Sequence, residues 1–334
     1  MELPGAACYI DAFSRGQPSC GCGAFHEIST SPACLQMITE RIREALQRIE
    51  RHSRRDPGAR GLAARAAPGM LAPAAEALAT GARAIIVTGF CIRSERIGET
   101  DGPPGALALA GALRLLGMDV VLLTDEYSAP LLAAGAKIGE SGAPAILPGS
   151  SQQDADDAID ALLSAFAPTH VVAIERPGNA LDGHRYSMRG EILDDLVVSA
   201  DRLFTSSGKR SYTTLAIGDG GNELGLGGLR QALGEYVEHG RTIFCATPAD
   251  HVIPAGISNW GAYALAAALS LLAGKRLIRA PRHERAVLAA MVAAGAVDGC
   301  TKRRELSVDG LAWDDYAGTL EAIYRETRAA LAER

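Results

Sequence analysis

The part of the sequence richest in chemical groups is the glycine- and acid-rich run between positions 218 and 228. It places two carboxyl groups, an amide and adjacent glycines within a few positions: Asp219, Gly220, Gly221, Asn222 and Glu223. Glycines let the backbone approach a ligand closely and turn its N–H groups toward an anion. The two carboxyl groups can in addition exchange protons with a substrate. The run therefore predicts a site for a small anionic substrate.

A second group of candidates lies at residues 99–106, where two prolines and two glycines come just before a predicted helix. Glu99, Thr100 and Asp101 supply either caps for that helix or ligands, and the sequence leaves both roles open. The amino terminus of a helix also favours a bound carboxylate or phosphate. We therefore keep Thr100 and Asp101 as candidate site residues.

A third group of candidates lies at residues 175–190, where acids, guanidinium groups and hydroxyls alternate. Arg176 and Arg189 are suited to holding a substrate carboxylate through paired hydrogen bonds. The alternative is that Glu175 neutralises Arg176 in a structural ion pair. Asp182 is a further candidate, for orienting a substrate ammonium group.

Several common enzyme signatures are absent from the sequence. Counted from Gly218, the sixth position is Glu223 rather than glycine, which excludes the dinucleotide-binding fingerprint. Lys209 is followed by Arg210 rather than by Ser or Thr, so the phosphate-binding P-loop pattern fails as well. The chain also has neither a Gly-x-Ser-x-Gly nucleophile elbow nor a His-Glu-x-x-His zinc helix. Hydride transfer, nucleotide hydrolysis and serine hydrolysis therefore lack their usual signatures.

Short apolar runs alternate with longer alanine- and leucine-rich segments from position 83 onward. The predicted strands are residues 84–87, 120–123, 170–174, 214–217 and 242–245, and the predicted helices include 105–116, 129–136 and 154–166. This alternation indicates an α/β fold of Rossmann-like topology, with a mainly parallel sheet covered by helices on both faces. Ligands of such sheets bind beyond the carboxyl ends of the strands, where all three candidate groups lie.

Helices are also predicted at both ends of the chain. Apolar residues recur at three- and four-residue steps in residues 34–52, and the chain is mainly helical from 259 onward, including 281–294 and 314–331. The apolar stretch 262–273 is too short to span a bilayer and is predicted to be a buried helix. Asn259, at its start, is a candidate substrate-binding residue, and Trp260 either closes the pocket or belongs to the core. We expect an N-terminal helical segment over 1–80 and an α/β domain over 81–334.

Composition narrows the class of protein. The 334 residues are 48% hydrophobic, enough for a sizeable core, and the net charge of -6 argues against a nucleic-acid partner. No secretory signal is visible, so we expect neither a membrane partner nor export. Seven scattered cysteines fit a reducing cytoplasm. Cys20 and Cys22 lack a second pair at ligand spacing, which favours a structural role over a metal site.

Four motifs together resemble the D-glutamate cyclase family in order and spacing. They read ETDGPPGA at 99–106, ERPG at 175–178, GDGGNELG at 218–225 and GISNWG at 256–261. The resemblance runs from residue 81 to residue 329. It implies a carbon-oxygen hydro-lyase that converts D-glutamate to 5-oxo-D-proline with loss of water.

This reaction suggests roles for the candidate residues. The neutral α-amine of the substrate must attack its own γ-carboxyl group, which requires proton transfer and help for a departing oxygen. Our hypothesis makes Asp219 and Glu223 the acid/base pair, because two carboxyl groups in one tight loop separate their proton affinities. Further roles are carboxylate binding by Arg176 or Arg189, oxyanion stabilisation by Asn222 and loop N–H groups at 220 and 221, and ammonium orientation by Asp101 and Asp182.

Three alternatives stay open at this point. The chain could be a related lyase or hydrolase that acts on another small dicarboxylate. Acidic residues, with Asp219, Glu223 and Asp101 as candidates, could hold Mg²⁺ or Mn²⁺, although no cofactor is certain. The chain could also be a non-catalytic binding or regulatory protein for an acidic amino acid or a phosphate-bearing metabolite. The sequence predicts no oligomeric state.

Overall fold

The computed structural model describes residues 40–139, 141–205 and 210–332. Its centre is a parallel sheet of six strands: β1 (Arg83–Thr88), β4 (Asp119–Thr124), β5 (Ala145–Ile146), β6 (His170–Ile174), β7 (Thr213–Gly218) and β8 (His251–Pro254). Two small antiparallel pairs accompany it: β2 (Cys91–Ile92) with β3 (Ile97–Gly98), and β9 (Ser307–Val308) with β10 (Leu311–Ala312). The α/β fold predicted from the sequence is confirmed.

The helices surround this sheet. The longer ones are α1 (Glu40–Ser53), α3 (Leu71–Ala79), α4 (Pro103–Leu115), α5 (Ala129–Gly139), α6 (Gln152–Phe166), α10 (Ser258–Ala273), α11 (Pro281–Ala293) and α12 (Trp313–Ala332). Single turns form α2 (Leu62–Arg65), α7 (Arg202–Thr205), α8 (Arg230–Leu233) and α9 (Gly240–Ile243). No helix in this described part of the chain is long and apolar enough to cross a membrane.

The strand order β5-β4-β1-β6-β7-β8 determines where a ligand can approach the sheet. The chain runs outward from β1 through β4 to β5 and then returns to place β6 on the other side of β1. A crevice opens at such a reversal, beyond the carboxyl ends of the two strands. Thr88 pairs with Ile174, and Ile174 pairs with Ile217, so the residues following β1, β6 and β7 meet at one edge.

The two faces of the sheet pack against separate groups of helices. Along β1, Ile86 joins a core with α1, α3, α4, α10 and α12, whereas Ile85 and Val87 join the core on the opposite face. This alternation is the two-residue period of a strand buried on both sides. The predicted boundary at residue 80 falls between α3 and β1. Elements on both sides of this boundary contribute to the core that contains Ile86.

Helix α10 is buried around almost its whole circumference. Its alanine-rich sequence lets α4 approach closely. The buried helix predicted at 262–273 is confirmed. Trp260 is fully buried, stacks on the ring of Tyr316 and donates a hydrogen bond to that residue's carbonyl oxygen. Of the two roles considered for Trp260, the structure therefore shows the core role.

One predicted strand is wrong. Residues 242–245 were expected to be a strand, but the segment begins in the single-turn helix α9 and then runs beneath the glycine-rich loop. The ring of Phe244 lies against Gly221, and the sulfur of Cys245 lies against Gly178. A short apolar run shows that a segment is buried without showing its conformation. The strand at that edge of the sheet is β8, not residues 242–245. The predicted helices 105–116, 129–136 and 154–166 are confirmed with small shifts at their ends.

The contact between α4 and α10 gives a test of this packing. A Cβ added to Gly105 would lie 2.9 Å from the Cα of Asn259 and from the Cβ of Ala262, whereas Gly111, also on α4, has nothing within 4 Å. We expect Gly105→Ala to lower the free energy of unfolding by about 1–3 kcal/mol through overpacking. The matched change Gly111→Ala should raise it by about 0.5–1 kcal/mol through helix propensity. Equal midpoints for the two variants in urea denaturation would contradict the packing described.

Candidate functional site

Three carboxyl groups from three separate loops meet at the edge of the sheet. Asp101 precedes α4, Glu175 follows β6 and Asp219 follows β7, and one oxygen of each lies within 4.8 Å of one oxygen of each of the others. All three side chains are buried. Glu175 adopts the left-handed backbone conformation, with φ of 45°. A non-glycine residue there is strained, and such strain concentrates at functional sites.

Asp101 and Asn259 lock the first loop to the start of α10. The carboxylate of Asp101 accepts hydrogen bonds from the backbone N–H groups of Ser258 at 2.9 Å and Asn259 at 2.8 Å. In return, the Oδ1 of Asn259 accepts from the N–H of Gly105 at 2.8 Å, and its Nδ2 donates to the carbonyl of Thr100 at 3.0 Å. Asp101 therefore caps a different helix from the one expected, and Asn259 and Thr100 help to hold its loop.

Glu223 has a different position from the one predicted for it. Its carboxylate accepts hydrogen bonds from the N–H groups of Asp219 at 2.8 Å, Gly220 at 2.7 Å and Gly221 at 2.6 Å. The loop N–H groups that we expected to bind a substrate anion are thus occupied by the chain's own carboxylate. Glu223 shapes the loop, and Glu175 lies beside Asp219 instead.

The two arginines predicted to bind a substrate carboxylate lie in different environments. Arg176 is fully buried, forms an ion pair with Asp125 and donates to the carbonyl of Val198 at 2.7 Å. Its ion-pair partner is therefore Asp125 rather than Glu175, and we assign Arg176 to the scaffold. Arg189 is exposed and lines the cleft described below, where it can reach a ligand.

Asp182 lies outside the cluster. It is exposed, accepts a hydrogen bond from the hydroxyl of Tyr186 at 2.7 Å, and accepts another from the N–H of His184 at 3.1 Å. The hydrogen bond from Tyr186 lowers the pKa of Asp182. Asp182 therefore stays ionised on the surface, and the structure does not bring it to the other candidates.

Arg60 enters the site from the loop between α1 and α2, and sequence reasoning did not find it. Its Nη1 pairs with the carboxylate of Asp219, and its Nη2 donates to Asp309 at 2.8 Å. Its side chain is 18% exposed and lines the cleft. It lies far from the acidic motifs in the sequence, and a lone arginine in a Gly-Ala-Arg-Gly loop carries no distinctive signal.

A cleft of about 570 Å³ adjoins the carboxyl cluster, and it meets the cluster at Glu175. Its wall includes Arg60, Phe90, Cys91, Ile92, Arg93, Glu99, Glu175, Met188, Arg189, Asn222, Tyr236, Cys300 and Lys302. This volume falls within the roughly 300–1,000 Å³ typical of small-molecule sites. Asn222 donates from its Nδ2 to the carbonyl of Tyr186 at 2.8 Å, while its buried Oδ1 has no hydrogen-bond partner among the described residues.

Burial and like charge dominate the electrostatics of the cluster. Burial raises the pKa of Asp101 to about 7, and the nearby carboxyl group of Asp309 adds to the effect. Burial and the neighbouring Glu223 raise the pKa of Glu175 well above its usual value. Burial raises the pKa of Asp219 too, against the opposing charge of Arg60. Near neutral pH the cluster must therefore hold protons or attract a cation.

Comparison with known proteins places these residues in a family context. A family model described as D-glutamate cyclase-like, C-terminal, matches residues 49–324. The human protein named D-glutamate cyclase, mitochondrial, is 33% identical over 262 residues, which covers 74% of this chain and 42% of the human protein. The chain thus spans less than half the length of that relative. Both the N-terminal loop carrying Arg60 and the three acidic loops lie inside the family match.

The role of Glu223 gives a second test. In Glu223→Gln, the side-chain amide presents donors to backbone N–H groups that need acceptors, so we expect the free energy of unfolding to fall by about 1–3 kcal/mol. Glu95, which is exposed, provides the matched control Glu95→Gln, for which a change within about 0.5 kcal/mol is expected. Urea denaturation measures both variants. If Glu223→Gln were as stable as the control, the carboxylate would not be shaping the loop.

Proposed function

Because this chain belongs to the D-glutamate cyclase family, we propose that it converts D-glutamate to 5-oxo-D-proline and water, as a carbon-oxygen hydro-lyase. The observation that carries the proposal is the buried cluster of Asp101, Glu175 and Asp219, which adjoins, at Glu175, a cleft large enough for a small molecule. The relative's name supplies the substrate class, and the cluster supplies the groups that such a reaction needs.

The proposed reaction balances within the substrate itself. The α-ammonium group loses two protons, its nitrogen forms a bond to the γ-carbon, and one γ-oxygen departs with those two protons as water. The enzyme therefore needs one group that accepts a proton from the nitrogen and one that donates a proton to the departing oxygen. It consumes no net acid or base over the cycle.

We assign these two proton transfers to Glu175 and Asp219. Their carboxyl groups adjoin each other, and one oxygen of Asp219 is buried without a hydrogen-bond partner among the described residues. In this proposal, that oxygen accepts the hydrogen bond from the substrate nitrogen. This pair replaces the pair of Asp219 and Glu223, since Glu223 is held by three backbone N–H groups.

Other residues of the cleft would orient the substrate. Asp101 adds negative charge that attracts the α-ammonium group, and the unpartnered Oδ1 of Asn222 can accept a hydrogen bond from it. Arg189, exposed on the wall of the cleft, can bind the α-carboxylate. The acids would thus hold the cationic end of the substrate, and the cleft wall would hold an anionic end.

A divalent cation at the same cluster is the alternative form of this proposal. Asp101, Glu175 and Asp219 present oxygen atoms, the ligands that Mg²⁺ and Mn²⁺ prefer, at a separation one ion can bridge. The unpartnered oxygen of Asp219 fits such a role. A bound cation would polarise the γ-carboxyl group of the substrate. Of the metal ligands predicted from sequence, Asp101 and Asp219 come together, and Glu175 lies where Glu223 was expected.

The sequence-based expectations of a small acidic amino acid as ligand and of a cytoplasmic location remain proposals. The human relative is named as mitochondrial, and that word describes the human protein.

Chiral chromatography of the purified protein with D- and L-glutamate tests the proposal. We expect 5-oxo-D-proline from D-glutamate only, and a loss of about 10²- to 10⁴-fold in kcat for Asp219→Asn and for Glu175→Gln. Asp157 is exposed on α6, so Asp157→Asn serves as the matched control and should keep full activity. Thermal stabilisation by D-glutamate without any product would instead indicate a binding protein.

Treatment with a chelator separates the two forms of the proposal. If the cluster holds a cation, activity is lost in the chelator and returns with Mn²⁺ or Mg²⁺, and the Asp219→Asn variant binds that ion more weakly in calorimetry. If the carboxyl groups alone transfer the protons, full activity persists in the chelator.

A further inference from the structure

Arg60 links two acidic side chains that are far apart in the sequence. Its Nη1 contacts Asp219 after β7, and its Nη2 contacts Asp309 in the turn between β9 and β10. We infer that Arg60 is a positioning residue, which fixes the carboxylate of Asp219 for the reaction. This inference rests on the proposed function and adds to it a residue from outside the acidic motifs.

Arg60 is the main restraint on both carboxylates. In the described part of the chain, Oδ1 of Asp219 receives its hydrogen bond from Arg60, and Oδ2 of Asp219 has no partner. Asp309 also receives its nitrogen donor from Arg60 at 2.8 Å, and its Oδ2 is likewise buried without a partner. Without the guanidinium, each of these buried carboxyl groups would lose the contact that defines its orientation.

The loop that carries Arg60 is itself fixed. The carboxylate of Asp56 accepts hydrogen bonds from the N–H of Arg60 at 3.0 Å and the N–H of Gly61 at 2.8 Å. Gly61 has φ of 86°, in the left-handed region that favours glycine. The carbonyl of Arg55 lies so close to Gly256 that a Cβ there would be 1.4 Å from it. The guanidinium is therefore presented to the cluster by a rigid support.

The choice of arginine follows from the geometry of its head group. A guanidinium presents donors in a fixed planar fork, so its two terminal nitrogens can hold two carboxylates in defined directions. A lysine ammonium has the same charge but no such fork. Asp309 and Gly310, with φ of 53° and 79°, form the two-residue turn between β9 and β10 in the conformation that Asp-Gly turns favour, so a defined turn presents the second carboxylate to the fork.

Chemical rescue of Arg60→Ala is the experiment that tests this role. Arg60 lines the cleft, so a guanidinium ion added at millimolar concentration can enter the space left by its side chain. Urea, which is planar but uncharged, is the control compound. Arg55→Ala is the matched control variant, because Arg55 lies in the same loop but its guanidinium donates to Thr319 instead.

We expect kcat of Arg60→Ala on D-glutamate to fall on the order of 10²-fold with KM little changed, because a misplaced catalytic group costs about that much. Guanidinium should raise the kcat of Arg60→Ala at least about tenfold, whereas urea should not raise it. Neither compound should raise the kcat of Arg55→Ala. Arg60→Lys, which keeps the charge, should recover only part of kcat. Unchanged kcat in Arg60→Ala, or a raised KM with normal kcat, would overturn the inference, as would a loss that guanidinium does not restore.

A measurement without turnover separates this inference from the proposed function. Guanidinium at the same concentrations should raise the Tm of Arg60→Ala, and this rise should disappear in the double variant Arg60→Ala with Asp219→Asn. If wild-type protein made no product from D-glutamate, the proposed function would fail whatever the Tm shows. If the wild-type protein were active but guanidinium did not change the Tm of Arg60→Ala, the contact between Arg60 and Asp219 would not have the role assigned to it.

Discussion

Repulsion among buried carboxyl groups is the constraint that organises this structure. Asp101, Glu175 and Asp219 approach one another in a place where water cannot screen their charges. Groups in that situation must be protonated, paired or bridged by a cation. The surrounding architecture supplies part of this compensation. The amino terminus of α10 donates two N–H groups to Asp101, and Arg60 brings a positive charge to Asp219.

The glycine-rich loop illustrates how the same constraint decides the chemistry. A loop of this kind commonly binds a phosphate through its N–H groups. Here Glu223 takes those N–H groups, so the loop contributes Asp219 to the carboxyl cluster and does not form an anion-binding cradle. The site therefore suits proton transfer or a bound cation better than phosphate chemistry. This agrees with the proposed reaction, in which the amine nitrogen attacks a carboxyl carbon after its ammonium group has lost a proton.

Much of the fold was predictable from local pattern. The apolar strands at 84–87, 120–123, 170–174 and 214–217 read correctly, because a buried parallel strand leaves a short continuous apolar run. The run at 242–245 has the same composition but packs beneath the glycine-rich loop, where Phe244 fills the space beside Gly221. The sequence predicted correctly that this run is buried, whereas its backbone conformation depended on contacts with a distant loop. The short edge strand β5 and the strand β8 gave too little pattern to be found.

The sequence by itself determined which loops carry the chemistry, because motifs that follow parallel strands must meet at one edge of the sheet. It thereby identified Asp101 and Asp219 as neighbours. Only the tertiary structure decided how each side chain is used. Glu223 turns back to its own loop, Glu175 turns into the cluster, and Arg60 reaches Asp219 across 159 positions of sequence. Side-chain direction and long-range pairing depend on the packing of the whole domain, and spacing along the chain does not encode either one.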